Sequence, residues 1–212
     1  MQEFLKLTAY RLYLLRSSAL QNQQVIVSIQ ELSKTFGTFR AFEKINLNIN
    51  AGEIFGILGL NAAGKTTLLR CVVNFLKPDE GTIFFKNNPL TENEIHNYFG
   101  YLPEDFHPPL NLSAEELLFF LGSGLDSGLS PKICLERVGL LKEKNKKIKT
   151  YSRGMIQRLG LAIALLKDPQ VIILDEPILG LDLAGQRHIF GLLKELNLKG
   201  KTIILSTHIF PT

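Results

Sequence analysis

The chain has 212 residues, enough for one compact domain with at most a small subdomain. Its 45% hydrophobic and 21% charged content excludes a disordered or collagen-like protein, and its two cysteines are too few for a disulfide framework. Twenty-four basic against 20 acidic residues leave a formal charge of +4, which suits a phosphate ligand or an anionic surface but is too mild to imply nucleic-acid binding.

Residues 1–24 stand apart. Lys6, Arg11 and Arg16 face only Glu3 there, and Phe4, Leu7, Leu12, Leu14 and Leu15 give a loosely helical pattern. The segment reads either as a membrane-surface or partner-docking helix or, preferably, as a loosely ordered leader outside the fold. Its charges interrupt the apolar residues too often for a signal peptide. No apolar run in the chain reaches the ~18–20 residues of a membrane span. The best candidate, 159–166, runs straight into Lys167 and Asp168. A soluble, cytoplasmic chain is expected.

From Val25 the pattern changes. Alternation of Val25, Val27 and Ile29, and again of Ile45, Leu47 and Ile49, predicts half-buried strands. The turn Ala51-Gly52 leads into the apolar run 54–58, a strand buried on both faces. A helix is predicted over 65–76, stopped by Pro78, with a turn at Asp79-Glu80-Gly81 and a strand over 82–85. The stretch 105–150 is helical in character, and Ser113 and Glu116 have the spacing of a capping box. Lys142, Lys144, Lys146, Lys147 and Lys149 follow without interleaved aromatics, which favours a solvated face over a nucleic-acid patch. A helix beginning after Ser152 and ending near 166, a buried strand over 171–174, a helix over 184–196 and a strand over 202–205 complete the chain. Strand–helix alternation of this kind predicts an α/β fold around a largely parallel sheet.

Two constellations carry chemistry. Gly59-Leu60-Asn61-Ala62-Ala63-Gly64-Lys65-Thr66 fits G-x-x-x-x-G-K-[ST], with a buried strand before it and a helix after it. Such a loop wraps its amides around phosphate at a helix N-terminus. Lys65 is expected on the β- and γ-phosphates and Thr66 on Mg²⁺, with Thr67 beside them. Downstream, the apolar strand 171–174 ends in Asp175-Glu176. Beside the loop, Asp175 would reach the Mg²⁺ through water, and Glu176 would serve as general base for an attacking water.

With Tyr151-Ser152-Arg153-Gly154-Met155 added, the sequence resembles the ATP-binding subunit of ABC transporters from about Val25 to His208. That pentapeptide is similar to the family's signature, usually L-S-G-G-Q. The resemblance implies a P-loop NTPase (RecA-like) core with an antiparallel β subdomain and a helical insertion at about 105–150, in an ATP-binding domain over 25–212. It places Phe36 on the adenine and makes Glu104 the Q-loop residue, with a metal and catalytic role. The Glu at this position is similar to the exporter-like subgroup. It makes Ser152 and Gly154 ligands of a γ-phosphate, Asp182 part of the D-loop, and His208 the switch histidine. ATP and Mg²⁺ are the implied cofactors. The implied partners are a transmembrane permease on a separate chain and a second ATP-binding subunit, in a homodimer or heterodimer, with no nucleic acid. The chain would lie peripherally on the inner face of the cell membrane.

There are two departures. Ala62 stands where the family usually has glycine, so weaker or altered phosphate binding is expected if that position needs a positive φ. The chain also ends four residues after His208, where the family's fold normally continues, so it reads as truncated, with its C-terminal part missing. Two alternatives stay open: an ATP-gated dimerising module with little hydrolysis, and a soluble ABC-type ATPase not tied to transport.

Overall fold

The computed structural model describes residues 8–10, 24–60, 62–123 and 128–208. In chain order its elements are β1 (Thr8–Tyr10), β2 (Val25–Phe36), β3 (Phe39–Asn50), β4 (Ile54–Leu58), α1 (Lys65–Val72), β5 (Glu80–Phe85) and β6 (Asn88–Pro89). Then come α2 (Glu92–Tyr98), β7 (Phe99–Leu102), α3 (Ala114–Gly122), α4 (Pro131–Arg137), α5 (Arg153–Ala164), β8 (Val171–Leu174), α6 (Leu183–Leu198) and β9 (Thr202–Thr207). Short 3₁₀ turns at Leu141–Glu143 and Ile148–Thr150 lead into α5.

The central sheet runs β1-β4-β9-β8-β7; its last four strands are parallel, and β1 lies antiparallel on β4. Val-Ile-Ile-Leu in β8 is buried throughout and supplies both faces at once. Ile172 and Leu174 pack with α3, α4, α5 and α6, while Val171 and Ile173 pack with α1 and the second sheet. That alternation is the period of a strand covered on both sides, and it produces two cores back to back. The second sheet is antiparallel, in the order β3-β2-β5-β6. The fold is therefore an α/β core around a largely parallel sheet, as the alternation of elements predicts, with an antiparallel β layer, as the resemblance implies.

The parallel register decides where the chemistry gathers. Leu58 pairs with Thr207 and Leu174 with Leu205. The residues that follow β4, β8 and β9 therefore emerge along one carboxyl edge of the sheet, where ligands of open α/β sheets bind.

Several elements differ from the expectation. Helix α1 stops at Val72 rather than near 76, because Asn74 takes the left-handed conformation (φ 56°) and the Phe75 and Leu76 amides both turn back onto the Arg70 carbonyl, closing the helix. Thr8–Tyr10 is a strand where the apolar spacing suggested a helix, since β4 offers it an edge; the rest of the 1–24 segment, apart from Gln24, lies outside the described residues. Helix α2 and strands β6 and β7 add to the predicted elements, while α4 lies in the stretch 105–150 expected to be helical. The two helices start at Thr91 with Glu94 in a capping box, and at Ser130 followed by Pro131.

Candidate functional site

Helix α1 begins inside the glycine-rich loop. Gly64, its N-cap, sits at φ 89°, and a Cβ there would fall 2.7 Å from the Ala41 carbonyl oxygen, so no other residue fits. Ala62 also takes a positive φ, 63°, so the position where the family usually has glycine does demand the left-handed region. Asn61 lies outside the described residues, and Leu60 is exposed.

Lys65 is buried in the first turn of α1, and its Nζ donates to the carbonyls of Gly59 (2.8 Å) and Leu60 (3.1 Å). It stands 3.5 Å from Glu176 Oε1. The lysine is thus folded over its own loop with its charge facing the end of β8.

Asp175 and Glu176 are both buried, and one hydroxyl organises them. Ser206 Oγ donates to Asp175 Oδ1 at 2.5 Å and accepts from the Glu176 amide at 2.9 Å. Glu176 takes φ 49°, and its Oε2 lies 3.0 Å from His208 Nδ1. The two remaining carboxylate oxygens, Asp175 Oδ2 and Glu176 Oε1, are buried with no hydrogen-bond partner among the described residues. Leaving two such acceptors unmade costs stability that a ligand would return. Their chemistry is that of hard oxygen donors, which fits magnesium, and Thr66 and Asp175 are the residues that could hold it. On the neighbouring strand, burial and the Asp175 carboxylate push the Tyr101 hydroxyl up to about 12, so it stays protonated.

A cavity of about 390 Å³ opens over this cluster. It is lined by Ala62, Ala63, Gly64, Lys65, Thr66 and Thr67, with Glu104 and Glu176 across from them. Phe39 also lines it, a residue the sequence reading passed over. The signal was there: Phe36 and Phe39 face each other across the Gly37-Thr38 hairpin turn, so an aromatic at one position puts the other at the same tip. Phe36 itself is not among the lining residues; it is 47% exposed, with Lys34 Nζ 5.6 Å over its ring.

Ser152, Gly154 and Asp182 lie elsewhere. They share a second cavity, of about 590 Å³, with Arg153, Gly180 and Leu181. Ser152 caps α5 by accepting from the Met155 amide, and Asp182 caps α6 by accepting from Gly185. Neither cavity contains residues of the other.

The sequence profile of the family described as "ABC transporter" matches residues 42–179. A bacitracin transport ATP-binding protein from Enterococcus faecalis is 37% identical over 193 residues, covering 88% of this chain and 62% of that protein. An uncharacterized ABC transporter ATP-binding protein from a Synechocystis strain is 34% identical over 202 residues, covering 88% and 57%. This chain therefore spans about three fifths of the length of these relatives. Among solved structures, a dimeric ATP-binding cassette in a post-hydrolysis state with ADP and Pi matches with TM-score 0.78 at 29% identity, covering 87% of this chain and 88% of that one.

Proposed function

The chain belongs to the ABC transporter family, and from that premise we propose that it binds and hydrolyses ATP to drive transport through a separate membrane subunit. The observation that carries this reading is the pair of buried carboxylate oxygens, Asp175 Oδ2 and Glu176 Oε1, that accept no hydrogen bond among the described residues, the second of them facing Lys65 at 3.5 Å. In this reading the loop amides and Lys65 take the β- and γ-phosphates, and Lys65 exchanges its contacts with the Gly59 and Leu60 carbonyls for phosphate oxygens. Thr66 and Asp175, with Glu104 at the rim, hold magnesium, which when bound neutralises phosphate charge. Glu176 accepts the proton of the attacking water through Oε1, while His208 holds Oε2 and so fixes the carboxylate's orientation. Phe36 and Phe39 flank the adenine from the hairpin tip.

Because the signature turn and the phosphate loop open into different cavities, two chains would have to pair head to tail to bring both onto one nucleotide. Likeness to a dimeric cassette supports the pairing. A further cavity of about 420 Å³, lined by Phe75, Tyr101, Pro103, Phe106 and Leu121 among others, lies next to Glu104. Phe119 and Phe120 on α3 are each 70% exposed. Apolar surface of this kind suits an apolar segment of the membrane subunit. No helix among the described residues is long and apolar enough to cross a membrane. Glu104 at the Q-loop position supports an exporter-like subgroup.

Phosphate release measured beside ATP binding tests the proposal. Glu176→Gln should keep binding and lose turnover by about 10²–10⁴-fold. A Lys65→Ala chain that binds Mg-ATP like the parent would overturn it. The strained Ala62 favours one second reading, an ATP-gated dimerising module with little turnover, which the same pair of measurements separates.

A further inference from the structure

The signature turn carries an arginine where the usual L-S-G-G-Q pattern has a glycine, and that arginine has no carboxylate partner among the described residues. The guanidinium of Arg153 lies over the peptide of Gly180: a Cβ built at Gly180 would fall 2.7 Å from its Cζ and 2.8 Å from its Nε. Arg158, Asp182 and His188 line the same cavity, and the first two are partly engaged. Arg158 Nη1 donates to the carbonyls of Val138 and Gly139 at 3.2 Å each, and Asp182 Oδ1 is taken by the Gly185 amide. Arg153 is therefore an exposed cation with no ion pair among the described residues, in the same cavity as Ser152 and resting on a neutral glycine. It lines the signature cavity and is absent from the lining of the Lys65 cavity.

We propose that Arg153 is a nucleotide-contacting residue supplied in trans, its guanidinium leaving Gly180 to make a charge-assisted contact with the triphosphate held at the Lys65 loop of a second copy. This rests on the head-to-tail reading above. It adds to that reading a cation that Ser152 and Gly154 do not provide. A planar guanidinium suits phosphate oxygens, and the neutral surface it leaves holds it only weakly.

The test uses the full chain carrying Glu176→Gln, so that bound ATP persists, and follows ATP-dependent dimerisation by sedimentation. Arg153→Gln should raise the ATP concentration at half-dimerisation about tenfold, the worth of one charge-assisted contact. Arg153→Lys should recover most of that loss. ATP affinity of the dilute monomer should be the same in all three chains, which also shows that each variant folds. An unchanged midpoint in Arg153→Gln overturns the inference alone. So does a loss of affinity in the monomer, or an Arg153→Lys chain no better than Arg153→Gln. If the Glu176→Gln parent forms no dimer with ATP, the head-to-tail reading fails and takes this inference with it.

Discussion

Ser206 holds both acids of the site with a single hydroxyl, donating to Asp175 and accepting from the Glu176 amide. Ser206→Ala would leave a buried N–H and a third carboxylate oxygen unpaired. Destabilisation of about 1–3 kcal/mol is expected, read from urea unfolding midpoints; a change within error would mean water replaces the hydroxyl freely. Ala62 is the other residue whose backbone sets the chemistry. A left-handed alanine costs about 1–2 kcal/mol, so Ala62→Gly should raise thermal stability and tighten ATP binding severalfold in a direct titration. An unaltered affinity would show that the loop's strain is not felt by phosphate. At this scale the loop and the Asp175-Glu176 pair were legible, because each is a short run with fixed spacing. Ser206 was read only as a neighbour of His208, since its partners lie across a parallel sheet.

Helix α3 shows how elements are tied to the site. Its capping box, Ser113 with Glu116, is legible in sequence and present in the structure. The lysines that follow are held by it: Lys144 pairs with Glu115 at 2.6 Å and Lys147 with Glu116 at 3.1 Å. Lys146 pairs with Glu143 at 2.5 Å. The Tyr151 hydroxyl donates to the Glu143 carbonyl. Lys144 and Lys147 thus lace the segment before the signature to the start of α3, and Lys142, Lys146, Lys147 and Lys149 are exposed, in line with a solvated face. The Ser113 amide first, and Lys147 with it, hold the Glu116 carboxyl down at about 2. Its folded pKa lies below the ordinary glutamate range. The stability it contributes is therefore present above about pH 4.5 and is lost as pH falls toward 2. Glu116→Gln should lower stability above about pH 4.5, where the carboxylate's contribution is present, and so flatten the acid limb of the unfolding profile, with little difference from the parent near pH 2. An acid limb identical to the parent's would remove Glu116 from the account.

For the whole molecule, the two separated cavities make a prediction that neither cavity makes alone. Chains with Lys65→Ala and chains with Ser152→Arg should each fail to dimerise with ATP. Mixed in equal amounts, they should regain ATP-dependent dimers with one intact composite site, seen as heterodimers by sedimentation of size-tagged chains. No recovery on mixing would exclude the head-to-tail arrangement.

What the amino-acid order determined by itself was everything local: the phosphate loop, the caps at Ser113 and Ser152, the alternation of strands and helices, and through the signature spacing the family. Those features depend on neighbours within a turn or a strand, where chain connectivity alone brings groups together. Only the tertiary structure decided which of these features share a space. Parallel pairing of β4, β9 and β8 places Lys65, Glu176, Ser206 and His208 at one edge, and hairpin pairing brings Phe39 to that site. Packing sends Ser152, Arg153 and Asp182 to another cavity. Register and packing between segments far apart in sequence leave no short-range pattern, so the meeting of Ser206 with Asp175 and of Arg153 with Gly180 could be seen only in three dimensions.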